Sequence, residues 1–323
     1  MRRLLQSVIG AVLLSALASQ VQAQKFPDRP IRLIVPYAPA GITDITARIL
    51  APKLGEELGQ QVIVDNRPGG AAMIGFGLVA NAPADGYTIL VATTALAANP
   101  ILFKNIPFET RKAFAPISLV GVVPCVLVVP PSSPAKTIAE FIALAKAKPG
   151  EMNFGSAGNG TDNHLAAEQF NYLTGIKAQH VTYRGGGQVM TDLMAGRVGY
   201  VFSTLPTARP LILDNRLRAL ATTGQARSPA LPDVPTVAET ALPNFSFYAW
   251  LGLLAPAGTP PAIIEQINTA VSAALQHPET ADKLRTIGHE IRGGTPQAMG
   301  AHLTRELDRW AELAKHVKFE VSE

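Results

Sequence analysis

A chain of 323 residues with a formal net charge of +4 is long enough for two domains. Its basic residues are scattered without a run of five or more, so the charge gives no indication of nucleic-acid binding. The single cysteine, Cys125, excludes an intrachain disulfide and any metal site that needs two cysteines. We therefore predict a globular protein in which Cys125 is a small buried apolar residue.

The first 23 residues have the pattern of a secretory signal peptide. Arg2 and Arg3 form a basic start, an apolar run covers 8–18, and Val-Gln-Ala at 21–23 resembles a small-residue cleavage site. The apolar run is too short to span a bilayer comfortably, which argues against a membrane anchor. An export signal on a chain without disulfides is typical of the bacterial periplasm, so we predict cleavage after Ala23 and a periplasmic protein.

Strands and helices alternate in the first part of the mature chain. The apolar run IRLIVPY (31–37) predicts a buried strand, and QVIVDN (61–66) and YTILVAT (87–93) predict two more. Helical patterns lie between these strands, over 43–59 and after NRPGGAAMIG. This order predicts a mainly parallel sheet with helices on both faces.

The helix predicted over 43–59 has a start signal and a stop signal. Thr43 is the expected N-cap, and Gly59 is the expected C-terminal stop. Pro52 lies inside the apolar pattern, so we expect it to kink or split the helix. Asp44 falls in the first turn, where an acid suits the helix dipole whatever the function. We interpret Asp44 as structural or as a holder of waters that touch a ligand.

Two apolar segments predict crossings of the chain between two lobes. ISLVGVVPCVLVVP is long for one strand and is interrupted by Pro124, and FYAWLGLLAP resembles a return crossing. A second alternating set of helices and strands begins at Thr137, between the two crossings. We predict a two-lobed α/β protein with a cleft, divided into a signal peptide (1–23), domain 1 (24–123 and 247–323) and domain 2 (124–246).

Four loops that follow predicted strands are candidates for a ligand site. They are PAGITD (39–44), TTALAANP (93–100), GSAGNGTDNH (155–164) and YRGGGQ (183–188). Ligands of open α/β sheets lie at the carboxyl ends of strands, where helix N-termini favour anions. Such residues also form ordinary turns and caps. Their presence in both lobes favours an anion site, for which Thr93 is one candidate residue.

Nucleotide-binding and hydrolytic motifs are absent from these loops. Neither GxGxxG nor GxxxxGK[ST] follows the first strand, and Phe154 stands where a GxSxG motif needs its first glycine. His164 and Glu168 have the spacing of half a metal site but no third ligand at matched spacing, so we interpret His164 as a helix-start or cleft histidine. Tyr183 and Arg184 fit carboxylate binding, and Arg184 fits a solvated surface position equally well. We predict no metal and no cofactor.

Six segments occur in order along the mature chain: FPDRPIRLIVPYAPAGITDITAR, VDNRPGGAAMIG, PADGYTIL, GSAGNGTDNHLAAEQF, HVTYRGGGQVMTDLMAGRV and WLGLLAPAGTP. Together they strongly resemble the periplasmic substrate-binding proteins of the tripartite tricarboxylate transporter family, the Bug receptors. Each segment alone is a weak signal, but six in order at the expected spacing are highly specific. The resemblance covers essentially the whole mature chain.

This resemblance implies a periplasmic-binding-protein (Venus flytrap) fold with two α/β lobes and two hinge crossings. It implies a non-enzymatic receptor that captures a small dicarboxylate, tricarboxylate or aromatic acid for uptake by inner-membrane transporter subunits. We expect a monomer that binds no nucleic acid. The ligand-binding positions implied by the family are Ala40, Gly41, Thr43, Asp44, Ser156, Gly158, Gly160, Thr161, His164, Tyr183, Gly185, Gly186, Ser203 and Thr204.

Two positions depart from the family pattern. The first loop usually reads Pro-Gly-Gly, and Ala40 replaces its first glycine. The strand end near 203 usually carries an acid or an amide, and Ser203 replaces it. We therefore expect a less polar distal pocket that suits an aromatic or aliphatic acid. Two alternatives stay open: a receptor that serves a signalling system, and a secreted α/β hydrolase, for which a nucleophile, base and orienting group are missing.

Overall fold

The computed structural model describes residues 26–39, 41–183 and 185–316. The predicted signal peptide, Ala40 and Arg184 lie outside these residues. The strands of the described part are β1 (Ile31–Val35), β2 (Val62–Asn66), β3 (Thr88–Thr93), β4 (Phe114–Val129), β5 (Asn153–Ser156), β6 (Gln179–Thr182), β7 (Val201–Thr204), β8 (Arg218–Thr222), β9 (Tyr248–Pro256) and β10 (Glu290–Gly293). The helices are α1 (Ile42–Leu58), α2 (Met73–Ala80), α3 (Thr94–Leu102), α4 (Ile138–Ala147), α5 (Asp162–Thr174), α6 (Gly186–Met194), α7 (Leu205–Leu213), α8 (Val237–Thr240), α9 (Pro261–Gln276), α10 (Pro278–Thr286) and α11 (Pro296–Leu313).

The predicted strand–helix–strand–helix–strand unit is confirmed. Strand β1 lies between β2 and β3 and is parallel to both. The prediction of a mainly parallel sheet is wrong beyond these three strands, because β9 pairs with β3 in the antiparallel direction and β4 pairs with β9 in the same way. The sheet is therefore mixed, in the order β10-β4-β9-β3-β1-β2.

Helix α1 covers one face of this sheet and runs through its proline without a break. Its buried side chains include Ala47, Leu50 and Leu54, which belong to one apolar cluster with β1 and β3. Pro52 is exposed on the opposite face, and the helix continues past it to Leu58, so the expected split does not occur. Burial of a leucine side chain stabilises a fold by about 1.5–3 kcal/mol, which is comparable to the cost of about 3 kcal/mol for a proline inside a helix.

The two ends of helix α1 differ in how well they match the prediction. Gly59 ends the helix in the left-handed conformation, with φ of 71°, as predicted. The N-cap is Gly41 and not Thr43, because the helix begins at Ile42. Thr43 therefore lies in the first turn, where it is buried.

Strand β4 passes through both halves of the molecule. Up to Pro124, which pairs with Tyr248, it pairs with β9 and β10; from Cys125 onward it pairs with β7 and β8. Although the run 117–130 is long for one strand, all of it except Pro130 lies in β4, a single strand of 16 residues. Pro124 is tolerated because it falls where one set of partners gives way to the next. Cys125 is fully buried, as predicted.

Strands β5 and β6 form a separate parallel pair, and Phe154 bridges to Tyr200 beside β7. The strands that pair with β4 after Pro124 thus belong to the middle of the chain, and those that pair before it belong to the C-terminal part. Strand β9 joins them to β3, β1 and β2 of the N-terminal part. This arrangement agrees with a two-lobed fold, while the domain boundaries stay a prediction. Within the described residues, no helix combines the length and the apolar character that a bilayer crossing requires.

Candidate functional site

A cavity of about 1180 Å³ lies where strands from both halves of the molecule end. Its walls are formed by the segments that follow β1, β2, β3, β5, β6 and β7. Carboxyl ends of strands are the usual ligand position in open α/β sheets. Ten predicted ligand residues line this cavity: Gly41, Thr43, Thr93, Gly158, Gly160, Thr161, Tyr183, Gly185, Gly186 and Thr204.

Six helices begin at the cavity wall. Their N-cap residues all line the cavity: Gly41 for α1, Ala72 for α2, Thr93 for α3, Thr161 for α5, Gly185 for α6 and Thr204 for α7. In none of the six does the N-cap side chain accept a hydrogen bond from the first turn. The first N–H groups of a helix have no partner within the helix, and its N-terminus carries about half a positive charge. The cavity therefore favours anions.

Asp44 lies behind the cavity wall and does not line it. Its carboxylate accepts hydrogen bonds from Arg48 Nε at 3.0 and 3.1 Å and from Asn66 Nδ2 at 3.0 Å. The same Asn66 nitrogen donates to the carbonyl of Tyr37 at 3.0 Å. Asp44 thus ties the start of α1 to the end of β2 and to the loop after β1. These contacts support the structural interpretation of this acid.

Two stacked histidines lie beneath the loop that follows β5. Gly160 N donates to His164 Nδ1 at 3.2 Å, and the rings of His164 and His180 stack at 4.2 Å. The oxygen of Ser156 lies 2.6 Å from His180 Nε2. Burial lowers the pKa of His164 to about 3 and that of His180 to about 4, so both rings are neutral at physiological pH. His164 and Ser156 therefore support the loop from below and do not line the cavity.

Ser203 also lies beneath the wall. Its side chain is buried, and its hydroxyl donates to the carbonyl of Thr204 at 3.3 Å. Thr204, the next residue, lines the cavity. The departure from the family pattern at Ser203 therefore acts in this structure through the packing of β7, and its effect on the ligand stays a prediction.

Two tyrosines line opposite sides of the cavity in uncharged form. Tyr37 Oη lies 2.9 Å from Thr93 Oγ1, and burial raises the pKa of Tyr37. Tyr183 donates to Asp192 Oδ2 at 2.8 Å, and desolvation followed by that carboxylate raises the pKa of Tyr183. Their hydroxyls add hydrogen-bonding groups to the wall without adding charge.

The cavity also contains residues that the sequence did not single out. After β2, four consecutive residues from Gly69 to Ala72 have positive φ, with Ala71 at 51° and Ala72 at 75°. Asn99 Nδ2 on α3 donates to the carbonyl of Ala71 at 2.9 Å. Left-handed alanines are strained, and such strain occurs often at ligand sites. The glycines signalled a turn here, but nothing local indicated that two alanines would share it.

Asp162 is another cavity residue that the sequence did not single out. It is the first residue of α5 and lines the cavity, and its carboxyl group is hydrogen-bonded to Thr94. Desolvation raises the pKa of Asp162 to about 6, with the charge of Glu306 acting in the same direction and the Thr94 bond opposing it. The sequence offered one signal, an acid directly after a threonine at a helix start, as in the pair Thr43 and Asp44.

A second groove of about 800 Å³ runs along α1 and β2. It lies against the middle and C-terminal part of α1, between Arg48 and Gln60, and against strand β2. No helix of the described part begins there, so it lacks the free N–H groups that make the first cavity favourable for anions.

The fold and the cavity define a periplasmic solute-binding protein, and comparisons with known proteins agree. The family model described as "Tripartite tricarboxylate transporter family receptor" matches residues 46–319. The chain belongs to this family, whose members are periplasmic receptors and not enzymes.

Three solved structures illustrate the similarity. R. palustris Rpa4515 with adipate is 36% identical, with a TM-score of 0.83, over 90% of this chain and 98% of that one. The periplasmic binding protein BugD is 31% identical, with a TM-score of 0.80, over 90% and 98%. MatC from Rhodopseudomonas palustris, with bound malate, is 29% identical, with a TM-score of 0.81, over 90% and 100%.

Proposed function

We propose that the cavity captures a small carboxylate: a dicarboxylate, a tricarboxylate or an aromatic acid. The observation that carries this proposal is the convergence of six helix N-termini whose cap residues line the cavity. At α2 the N–H groups of Met73 and Ile74 already donate to the carbonyls of Gly70 and Gly69, and at the other five the cap side chain leaves the first-turn N–H groups to other partners. An anion accepts hydrogen bonds from such groups and gains from the helix dipoles. Relatives solved with adipate and with malate support the same ligand class.

The helix starts come from both predicted lobes, which suggests how the ligand is enclosed. Helices α1, α2 and α3 belong to the proposed domain 1 (24–123 and 247–323), and α5, α6 and α7 belong to the proposed domain 2 (124–246). A ligand that bridges the two groups stabilises the closed arrangement of the lobes. The chain then crosses between the lobes at Pro124 within strand β4 and directly before strand β9, and these two points serve as the hinge crossings.

Within the same proposal, the mature chain begins after Ala23 and is exported by the cleaved signal peptide. The closed, liganded monomer delivers its ligand to inner-membrane transporter subunits, without a cofactor and without catalysis. A secreted hydrolase is disfavoured because Ser156, which lies 2.6 Å from His180, has a fully buried side chain. A receptor that serves a signalling system would use the same cavity, and neighbouring genes would distinguish it from a transport receptor.

A thermal-shift screen of the mature chain against carboxylates tests the ligand class. The panel contains tricarboxylates, dicarboxylates, amino acids, nicotinate and aromatic acids, with the matching amides as uncharged controls. A ligand at about 100 times its dissociation constant stabilises the protein by about 2.7 kcal/mol, which shifts the melting temperature by several degrees. We expect at least one acid to shift it and its amide to leave it unchanged.

Absence of any shift has two explanations that a further measurement separates. The purified protein either carries a ligand already or binds none of these acids. Mass spectrometry of the supernatant after denaturation identifies a ligand that was carried through purification. An empty protein that no carboxylate stabilises would contradict the proposed function.

A further inference from the structure

The charge inventory of the cavity is unusual for an anion site. Of the described residues that line it, Asp162 is the one whose side chain carries a formal charge at neutral pH. The two lining tyrosines, Tyr37 and Tyr183, both have raised pKa values and are uncharged. Within the described lining, the attraction for an anion therefore comes from backbone N–H groups, and a fixed carboxylate lies in the same wall.

The surroundings of Asp162 leave its charge poorly compensated. Its Oδ1 atom is shielded from solvent and has no hydrogen-bond partner among the described residues. The bond from the Thr94 hydroxyl and its own backbone N–H oppose the desolvation. Thr94 Oγ1 also accepts a hydrogen bond from Trp250 N at 3.3 Å, so this hydroxyl is fixed in place.

Among the described residues, the ionisable groups that interact with Asp162 add no positive charge. They are Tyr37 after β1, Cys125 on β4 and Glu306 on α11. Glu306 raises the pKa of Asp162, and it is itself paired with Arg309 at 3.3 Å. Asp162 in turn raises the pKa values of Tyr37 and Cys125. A ligand anion is thus a further negative charge beside a carboxylate that is already costly to ionise.

We propose that Asp162 is a specificity-determining residue that makes the cavity discriminate between ligands by their charge. A monocarboxylate adds a single negative charge to the cavity and therefore disturbs Asp162 less. A dicarboxylate places a second negative charge in the same cavity, which is unfavourable unless Asp162 takes up a proton. This inference rests on the proposed function, since it concerns which carboxylates the same cavity binds.

The position of Asp162 in the cavity wall decides how pH changes the affinity for a dicarboxylate. Near pH 7.5 Asp162 is ionised in the empty protein, because its pKa of about 6 lies below that pH. A dianion in the cavity disfavours the ionised carboxylate and raises its pKa further. Binding of a dicarboxylate is therefore accompanied by proton uptake and strengthens as the pH falls toward 6.

Titration calorimetry with two probes of equal chain length tests this inference. The probes are adipate, a dianion at pH 7.5, and 6-hydroxyhexanoate, a monoanion. We expect Asp162→Asn to raise the affinity for adipate about tenfold relative to the affinity for 6-hydroxyhexanoate. The matched control is Asp214→Asn, which removes a carboxylate from an exposed position at the end of α7 and leaves the affinity ratio unchanged.

Proton uptake supplies a readout that needs no variant. Calorimetry in two buffers of different ionisation enthalpy measures proton uptake on binding. We expect the wild-type protein to take up a substantial fraction of a proton when it binds adipate and less when it binds 6-hydroxyhexanoate. An affinity ratio that is identical in wild type and folded Asp162→Asn, or adipate binding without proton uptake, would overturn the inference. If neither probe nor any acid of the screen binds to protein shown to be empty, the proposed function fails. If acids bind but show neither the change in affinity ratio nor the proton uptake, the inference alone fails.

Discussion

Helix starts at the cavity and helix starts elsewhere use the same residue in different ways. Threonine is the N-cap of α3, α5 and α7 at the cavity and of α4, α8 and α11 away from it. In the second group, the threonine hydroxyl accepts a hydrogen bond from the third residue of its helix, at 3.0–3.2 Å. In the first group it does not. Helix propensity therefore cannot explain the difference.

The hydroxyls of the cavity threonines have other partners. Thr93 pairs with Tyr37 at 2.9 Å, Thr161 donates to the carbonyl of Gly158 at 2.7 Å, and Thr204 pairs with Thr207 at 3.0 Å. None of the three hydroxyls therefore accepts a hydrogen bond from the first turn of its own helix. The helix starts thus differ in that those at the cavity leave their own capping interaction unmade, so the threonine supplies no acceptor for the first-turn N–H groups.

Adding the missing cap at the cavity is the strongest test of this comparison. Gly41 has φ of −79° and ψ of 166°, and a Cβ atom there would meet only the carbonyl of Ala38 at 3.8 Å. Gly41→Asp therefore fits without strain. Its carboxylate would cap α1 and repel the ligand. We expect the affinity for a carboxylate to fall about 100-fold or more, which is about 2.7 kcal/mol, with unfolding stability unchanged or higher.

The uncharged variant Gly41→Asn is the matched control. It supplies a capping oxygen of similar geometry without the negative charge, so its affinity loss should be smaller than that of the aspartate variant. Calorimetry gives the affinities, and urea unfolding gives the stabilities. Equal and undiminished affinity in both variants would mean that the start of α1 does not contact the ligand.

The second test concerns the contact between the two halves of the wall. Gly160 has φ of 76°, and a Cβ atom there would lie 3.0 Å from Leu102 Cδ1 and 3.1 Å from Asn99 Oδ1, both on α3. Gly175 has a similar φ of 71°, with nothing within 4 Å of the added atom. Alanine at either position costs about 1–2 kcal/mol in backbone conformation. Crowding costs a further ~1–3 kcal/mol at Gly160 alone.

The difference between the unfolding free energies of Gly160→Ala and Gly175→Ala, measured in urea, therefore gives the cost of crowding at Gly160. We expect the Gly160 variant to be the less stable of the two and to bind its ligand more weakly, because this position lines the cavity. The Gly175 variant should bind as the wild type does. Equal losses of stability would show that α3 and the loop after β5 separate easily in solution.

The sequence predicted strands better than it predicted helix starts and strand partners. Apolar runs fixed β1, β2 and β3, because burial on both faces leaves a continuous pattern. The antiparallel pairing of β3 with β9 was missed, since a local pattern carries no information about a partner more than 150 residues away. The residue type of Thr43 favours an N-cap, but the observed N-cap is Gly41, two residues earlier, and the helix begins at Ile42.

The candidate site was predicted as a set of loops, and only partly as a set of side chains. Glycines and threonines at strand ends indicated the loops that line the cavity, because the chain needs them for turns and helix starts. Asp44, Ser156, His164 and Ser203 lie behind the wall, and spacing alone could not tell the wall from its support. Asp162 was missed because its significance depends on burial against Thr94, which is a tertiary contact.

One further sequence signal marks two of the three capped threonine helix starts. Thr137 and Thr236 are each followed by a glutamate at the third helical position, Glu140 and Glu239. Glu140 accepts a hydrogen bond from the backbone N–H of Lys136, the residue before the N-cap, at 2.7 Å, an arrangement close to a capping box. The cavity threonines have leucine, histidine or threonine at the third position instead. A glutamate at the third helical position therefore indicates a structural start. Its absence alone does not indicate a ligand site, because Thr295 follows β10, has Ala298 at that position and still caps α11.

The smallest expected effect comes from removing one hydroxyl in each group. Thr137→Ala removes a cap that is made, at 3.2 Å from Glu140 N, and should lower the free energy of unfolding by about 0.5–2 kcal/mol without changing affinity. Thr204→Ala removes a hydroxyl that caps nothing, so its stability should stay within about 0.5 kcal/mol of the wild type. Because Thr204 lines the cavity, its loss should change the affinity for a carboxylate. Urea unfolding and calorimetry on both variants test this reversal; a stability loss in Thr204→Ala as large as in Thr137→Ala would mean that the cavity threonines cap their helices when no ligand is bound.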